Sequence, residues 1–95
     1  MADLHGVIPY VPTPLRPDGS VDREMLARVC DHLIGQGVHG LCPLGSTGEF
    51  AYLDFARKAE VVETVVAAAG GRVPVVAGVA ATATGDAVAQ AQAWQ

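Results

Sequence analysis

Hydrophobic and polar positions follow one pattern that occurs three times along the chain. Short, nearly continuous apolar runs occupy residues 7–11, 40–44 and 73–79. Runs of this kind are typical of strands that are covered on both faces. Each run is followed by polar and glycine-rich residues and then by a segment with helical periodicity. This order predicts successive strand–helix units and a parallel sheet.

The first predicted helix lies between Asp22 and Gly37. Its apolar positions have the spacing of one helical face, and they are Leu26, Val29, Cys30, Leu33 and Ile34. Asp22 is a favourable N-cap, and Gly35 and Gly37 are expected to end the helix. Asp18 and Gly19 form a turn signal before it.

The second predicted helix begins near Asp54, which can serve as its N-cap, and ends at Gly70 and Gly71. Its apolar stripe is expected to face the core, and it contains Phe55, Val62, Val65, Val66 and Ala69. The third predicted helix begins near Thr84 and continues to the last residues of the sequence. The chain therefore holds two full strand–helix units and most of a third.

Two architectures use this alternation, the doubly wound sheet and the (β/α)8 barrel. Both place function at the carboxyl ends of the strands. A barrel needs eight units and about 250 residues. A chain of 95 residues is therefore expected to be one incomplete domain, residues 1–95, if the barrel is the correct architecture.

Composition and charge exclude several classes of protein. The chain is 51% hydrophobic and 17% charged, with a net charge of −4, so it has the character of a globular domain without a basic surface for nucleic acid. The apolar, uncharged stretch at residues 73–85 contains Pro74 and Gly78 and is too short to span a bilayer. The N-terminal residues show no signal-peptide pattern, which favours a cytoplasmic location.

Cysteine and histidine spacing gives no metal or disulfide signal. Cys30 and Cys42 lie within apolar patterns, and we expect them to be reduced thiols in the core. The three histidines, which are His5, His32 and His39, do not have the spacing of metal ligands. No cofactor is expected.

The segment Gly45–Glu49 (Gly-Ser-Thr-Gly-Glu) is the main candidate for chemistry. Gly45 and Gly48 allow a sharp turn, while Ser46 and Thr47 supply hydroxyls and backbone N–H groups that suit a carboxylate or a phosphate. A phosphate-binding P-loop would need a lysine that is absent, and neither a dinucleotide fingerprint nor a nucleophile elbow is present. A purely structural turn stays open. Glu49 is expected to turn away from a bound anion and to bind N–H groups of the loop.

Four ordered motifs carry a resemblance to a known family. They are Thr13–Pro14, residues 18–22 (Asp-Gly-Ser-Val-Asp), residues 45–49 and residues 72–79 (Arg-Val-Pro-Val-Val-Ala-Gly-Val). With these motifs the chain resembles the N-terminal third of the dihydrodipicolinate synthase / N-acetylneuraminate lyase family. The resemblance implies a (β/α)8 barrel, usually a homotetramer, in which a lysine forms a Schiff base with pyruvate or another 2-oxo acid.

The same resemblance implies roles for individual residues. Ser46 and Thr47, with Gly45 and Gly48 beside them, would bind the substrate carboxylate. Ser46 would also join a proton relay to the family's catalytic tyrosine. The two remaining residues expected to line the pocket are Tyr10 and Thr13, with packing in the core as an equal alternative for Tyr10.

The family's Schiff-base lysine lies on the sixth strand and its tyrosine near the end of the fifth, beyond this chain. Lys58, the only lysine, falls on the second helix and is expected to be a solvated charge near Asp54 and Glu60, because outer helices point away from the strand ends. The 95-residue chain alone is therefore expected to be inactive.

Two functions remain at this point. In the first, the chain is part of a lyase or aldolase that makes or breaks a carbon–carbon bond, and residues 45–49 form its carboxylate-binding loop. The second is a non-catalytic truncated remnant, or a module that completes a barrel with another chain. The motifs do not select the second substrate.

Overall fold

The computed structural model describes residues 4–95. It contains three α-helices, α1 (Arg23–Gly35), α2 (Phe55–Ala69) and α3 (Thr84–Trp94), and a short 3-10 turn at Phe50–Tyr52. The first three residues, which belong to the N-terminal stretch without a signal-peptide pattern, lie outside the described residues. Within residues 4–95, none of the helices has the length and apolar character needed to cross a bilayer.

The three apolar runs lie side by side as extended segments that run in parallel. The N–H of Cys42 donates to the Pro9 carbonyl at 3.0 Å, and Tyr10 and Cys42 form a parallel bridge between the first and second segments. Leu41 and Val75 form the corresponding bridge between the second and third segments. Both pairings are isolated bridges, so the continuous strands predicted at residues 7–11, 40–44 and 73–79 do not form within residues 4–95.

Prolines explain why these ladders are interrupted. Between parallel strands, the N–H groups that donate to the neighbouring strand belong to every second residue of a strand. A proline at such a position has no N–H, so the next hydrogen bond cannot form. Next to the Tyr10–Cys42 bridge, the missing donor is Pro9. Next to the Leu41–Val75 bridge, the missing donors are Pro43 on the second segment and Pro74 on the third. The apolar pattern predicted the positions of the segments, but it did not account for these missing donors.

The predicted capping residues of α1 and α2 are confirmed. The Asp22 carboxylate accepts from the N–H of Met25 at 3.0 Å, and the Asp54 carboxylate accepts from the N–H of Arg57 at 2.8 Å. Helix α1 ends at Gly35, as expected. Helices α1 and α2 pack against each other over the extended segments, and the buried core contains Val11, Val21, Leu26, Cys30, Leu41, Leu44, Leu53, Val61, Val62, Val65 and Ala69.

Two residues of the predicted stripe on α2 do not reach the core. Phe55 is 50% exposed and Val66 is 52% exposed. The buried arc of the helix runs through Val61 and Val65, and Val66 lies about 100° around the helix from Val65, at the margin of that arc. Phe55 instead packs its ring near Trp94 of α3, with 5.4 Å between the ring centroids.

The expected exposure of Lys58 is wrong. Its side chain is only 8% exposed, and its Nζ lies 5.7 Å from the centroid of the Phe50 ring. Lys58 precedes Val62 by four residues and Val65 by seven, which places it on the buried face of α2. A lysine can occupy such a position because its aliphatic stem packs as an apolar group.

The acidic neighbours expected for Lys58 have other partners. The Asp54 carboxylate pairs with Arg57 Nη1 at 2.7 Å, and the Glu60 carboxylate pairs with Arg23 Nε at 2.9 Å. The second of these ion pairs connects α1 to α2. Both pairs are partly exposed, so each contributes about 0–1 kcal/mol.

The turn predicted at Asp18 and Gly19 is confirmed. Gly19 has a φ of 88°, and the turn closes a narrow antiparallel bridge between Leu15 and Val21. The Gly19 carbonyl accepts a hydrogen bond from Arg57 Nε at 2.7 Å. This contact joins the loop after the first segment to the start of α2.

Candidate anion-binding loop

The segment Gly45–Glu49 follows the second extended segment directly and leads into the 3-10 turn at Phe50–Tyr52. The non-glycine residues at its two ends, Leu44 and Glu49, have left-handed φ values of 64° and 57°. Such conformations cost free energy in non-glycine residues and tend to occur at functional sites. Leu44 is 2% exposed, so its side chain is fixed in the core while its backbone turns the chain outward.

Two overlapping turns give the loop its shape. The N–H of Gly48 donates to the Gly45 carbonyl, and the N–H of Glu49 donates to the Ser46 carbonyl, both at 3.0 Å. The N–H groups of Ser46 and Thr47 have no acceptor among residues 4–95. Both residues are exposed. The loop therefore offers two adjacent backbone donors and two hydroxyls to a small anion, an arrangement of the kind that binds carboxylates and phosphates.

The end of the first extended segment and Thr13, which follows it, hold the loop in place. The Thr13 hydroxyl donates to the Gly48 carbonyl at 2.6 Å. A Cβ at Gly48 would lie 2.8 Å from the Val11 carbonyl oxygen, and a Cβ at Gly45 would lie 3.2 Å from Cδ1 of Tyr10. A side chain at Gly48 would therefore clash with backbone, whereas one at Gly45 would require only a small shift of the exposed Tyr10 ring.

The structure thus brings the six residues predicted for the site to one place, at the carboxyl ends of the first two segments. They are Tyr10, Thr13, Gly45, Ser46, Thr47 and Gly48. Tyr10 is 63% exposed while Thr13 is 8% exposed, so the phenol is available to a ligand and the threonine is embedded. Their roles toward a substrate stay predictions.

Contrary to the expectation, the Glu49 side chain does not bind N–H groups of the loop; its orientation relative to a bound anion stays a prediction. Glu49 is exposed and makes no capping hydrogen bond to the turn that follows it. Its contribution to the loop comes from its backbone, because its carbonyl accepts from the N–H of Tyr52 at 3.0 Å.

Burial makes both thiols poor nucleophiles. Desolvation raises the pKa of the Cys42 thiol, which lies three residues before the loop, and raises the pKa of Cys30 to about 11. Both thiols are therefore protonated at neutral pH. Cys30 lies in the core as expected, whereas Cys42 is only partly buried.

A cavity that sequence reasoning missed lies next to the loop, between α2 and α3. It has a volume of about 710 Å³, and its lining includes Phe50, Lys58, Thr82, Asp86 and Gln90. The helical spacing of Lys58 from Val62 was the one signal in the sequence that could have placed this lysine on an inner face. Within residues 4–95, no group of three or more metal-ligating side chains is present.

Comparison with known proteins gives a consistent set of relatives. The Dihydrodipicolinate synthetase family matches residues 3–95. A 4-hydroxy-tetrahydrodipicolinate synthase of Jannaschia sp. (strain CCS1) is 44% identical over 89 residues, which make up 94% of this chain and 30% of that protein.

Solved structures agree with the sequence relatives. YagE of Escherichia coli K12, a prophage protein of the dihydrodipicolinic acid synthase family solved in complex with pyruvate, is 34% identical with a TM-score of 0.91, over 95% of this chain and 30% of YagE. N-acetylneuraminate lyase of Mycoplasma synoviae is 32% identical with a TM-score of 0.83, over 90% of this chain and 30% of the lyase. These similarities imply that the chain is part of a TIM barrel. It spans about 30% of the length of the curated relatives it matches.

Proposed function

Because the chain belongs to the dihydrodipicolinate synthetase family, we propose that it supplies the carboxylate-binding loop of a lyase or aldolase that forms a Schiff base with pyruvate or another 2-oxo acid. The observation that carries this proposal is the pair of adjacent N–H donors at Ser46 and Thr47, which have no acceptor among residues 4–95. The hydroxyls of the same two residues complete a clamp for one carboxylate group.

A neutral clamp suits this chemistry. A Schiff base withdraws electrons from the carbon next to the former carbonyl, so that a carbon–carbon bond can form or break there. The carboxylate must be held so that the carbonyl carbon meets the amine at reacting distance. Hydroxyl and backbone donors hold the anion without placing a second cation next to that amine. Pyruvate in the solved complex of YagE supports this choice of substrate.

The Schiff-base lysine is proposed to lie in the remaining part of the barrel. Lys58 is a poor candidate because it lies on α2 and not at the carboxyl end of a strand, which is where the reacting groups of a barrel are placed. The three extended segments are proposed to be the first three strands of the barrel. The complete protein is proposed to be a cytoplasmic homo-oligomer without a cofactor.

A second candidate function rests on exposed apolar residues at the open edges of the extended segments. Val7, on the first segment, is 60% exposed, while Val76 and Val79, on the third, are 38% and 42% exposed. Unpaired segments of this kind favour association with another chain. A barrel-completing module would form a stoichiometric complex with a separate chain that carries the remaining strands, whereas a chain that elutes as a stable monomer in size-exclusion chromatography would count against it.

The proposed clamp can be tested on the 95-residue chain by NMR. The amide resonances of Ser46 and Thr47 are expected to shift in proportion to bound pyruvate, and to shift much less with pyruvamide, whose amide lacks the negative charge. The double variant Ser46→Ala, Thr47→Val should weaken the response. Thr84→Val, at an exposed threonine outside the loop, is the matched control and should not weaken it.

Two results would contradict the proposal. One is a pyruvate response that is absent from residues 45–48, and the other is an equal response to pyruvate and pyruvamide. Borohydride reduction in the presence of pyruvate should leave Lys58, the only lysine, without an adduct in peptide mass mapping, which distinguishes it from a reaction of the α-amino group. A stoichiometric adduct on Lys58 would overturn the assignment of the nucleophile to the remaining part of the barrel.

A further inference from the structure

One side-chain hydrogen bond joins the loop to the residues that follow the first extended segment. The Thr13 hydroxyl donates to the Gly48 carbonyl at 2.6 Å across a sequence separation of 35 residues. Thr13 is 8% exposed and Gly48 is buried. Among residues 4–95, it is the one hydrogen bond between a side chain and the backbone of Gly45–Glu49.

Gly48 is held on several sides at this point. Its N–H donates to the Gly45 carbonyl, and its Cα faces the Val11 carbonyl oxygen, the Leu44 nitrogen and the Thr13 hydroxyl so closely that no Cβ would fit without movement. The hydrogen bond from Thr13 fixes the carbonyl, which is the one remaining polar group of this residue. The orientation of the Gly48–Glu49 peptide group is therefore set by Thr13.

We propose that Thr13 is a positioning residue for the substrate carboxylate, acting through the Gly48 carbonyl and not by contact with the substrate. This inference rests on the proposed function and deepens it. The donors at Ser46 and Thr47 lie within the turn that Gly48 closes, so that fixing Gly48 fixes the direction of both N–H groups. Donors that are held in place before the ligand arrives bind it more tightly, because less ordering is required on binding.

The variant Thr13→Val tests this role, since valine has nearly the shape of threonine without the donor. Pyruvate affinity, measured from the Ser46 and Thr47 amide shifts, is expected to fall roughly three- to tenfold, the usual worth of one hydrogen bond. Thr13→Ser retains the hydroxyl and is expected to restore the affinity to within about twofold.

Thr64→Val is the matched control. The Thr64 hydroxyl also donates to a backbone carbonyl, that of Glu60, at 2.7 Å, and Thr64 is also 8% exposed. Its hydrogen bond lies within α2, so its loss is expected to leave pyruvate affinity unchanged. If Thr64→Val weakened binding as much as Thr13→Val, the effect of Thr13 would be general destabilisation, and the proposal would be overturned.

A second measurement does not need the ligand or the variant. The Thr13 hydroxyl proton in the wild-type chain is expected to exchange slowly with water, because it is buried and hydrogen-bonded. A rapidly exchanging proton would overturn the proposal even if Thr13→Val failed to fold.

The two hypotheses fail in different ways. If the wild-type chain binds pyruvate at residues 45–48 and Thr13→Val binds equally well, the positioning role is wrong while the clamp stands. If the wild-type chain shows no response at these residues, the clamp is wrong, and with it the role of Thr13 toward a substrate.

Discussion

The variant Gly48→Ala tests whether the loop packs against the first extended segment as closely as the structure shows. An alanine Cβ at this position would lie 2.8 Å from the Val11 carbonyl oxygen and 3.2 Å from the Leu44 nitrogen. Both are backbone atoms, so the clash cannot be relieved by rotating a side chain. Gly48 does not have a positive φ, so the cost is one of space and not of backbone conformation.

Two opposing contributions determine how much Gly48→Ala changes the free energy of unfolding. Inserting a methyl group into a packed site costs about 1–3 kcal/mol, while replacing glycine by alanine reduces the entropy of the unfolded chain and returns about 0.4–1 kcal/mol. The free energy of unfolding should therefore fall by about 1–2 kcal/mol. Urea titration followed by circular dichroism of the helices measures this change, provided that unfolding is two-state.

Gly85→Ala is the matched control for this experiment. Gly85 lies in α3, and a Cβ there would meet nothing within 4 Å. The substitution should raise the free energy of unfolding by about 0.5–1 kcal/mol, since alanine is favoured over glycine in helices. If Gly48→Ala were as stable as the wild-type chain or as Gly85→Ala, the close packing of the loop on the first segment would be refuted.

Three further predictions concern the helices and the buried thiol. Trp94→Phe removes the indole N–H that donates to the Gly78 carbonyl at 3.1 Å and should lower the free energy of unfolding by about 1 kcal/mol; an unchanged urea midpoint would contradict this. Asp54→Ala removes the N-cap of α2, which accepts from Arg57 at 2.8 Å, and should cost about 1 kcal/mol, with loss of helical circular dichroism at a lower urea concentration. Burial raises the pKa of Cys30 from its ordinary value of 9.0 to about 11, so the folded state retains this proton longer than the unfolded state. The resulting stability is present below pH 9 and is lost as the pH rises toward 11; Cys30→Ala should reduce this part of the pH dependence in urea titrations.

Local patterns in the sequence predicted the helices and the clustering of the candidate site well. The caps at Asp22 and Asp54 are short-range features, and a carboxylate next to the first turn of a helix needs no tertiary information. The parallel order of the segments brought Tyr10 and Thr13 next to Gly45–Gly48, since the carboxyl ends of parallel strands lie at one edge of a sheet.

The parts that were not predicted depend on long-range packing. Lys58 was expected in solvent because the outer helices of a barrel point away from the strand ends, yet its helical spacing from Val62 places it on the inner face of α2. The exposed position of Phe55 follows from the neighbours that surround α2, which its own periodicity does not reveal. The hydrogen bond from Thr13 to Gly48 joins residues 35 positions apart, a pairing that no local motif indicates.

The central claim is that Gly45–Gly48 holds the carboxylate of a 2-oxo acid while a lysine elsewhere in the barrel forms the Schiff base. The most direct test is a hybrid barrel in which this chain replaces the matching N-terminal part of YagE. Borohydride trapping at increasing pyruvate concentrations, followed by intact mass, gives the concentration for half-maximal adduct. We expect Thr47→Val to raise that concentration about tenfold or more, as for a lost hydrogen bond to a charged group, with Thr84→Val unchanged. Equal half-maximal concentrations for the wild-type and Thr47→Val hybrids would contradict the account.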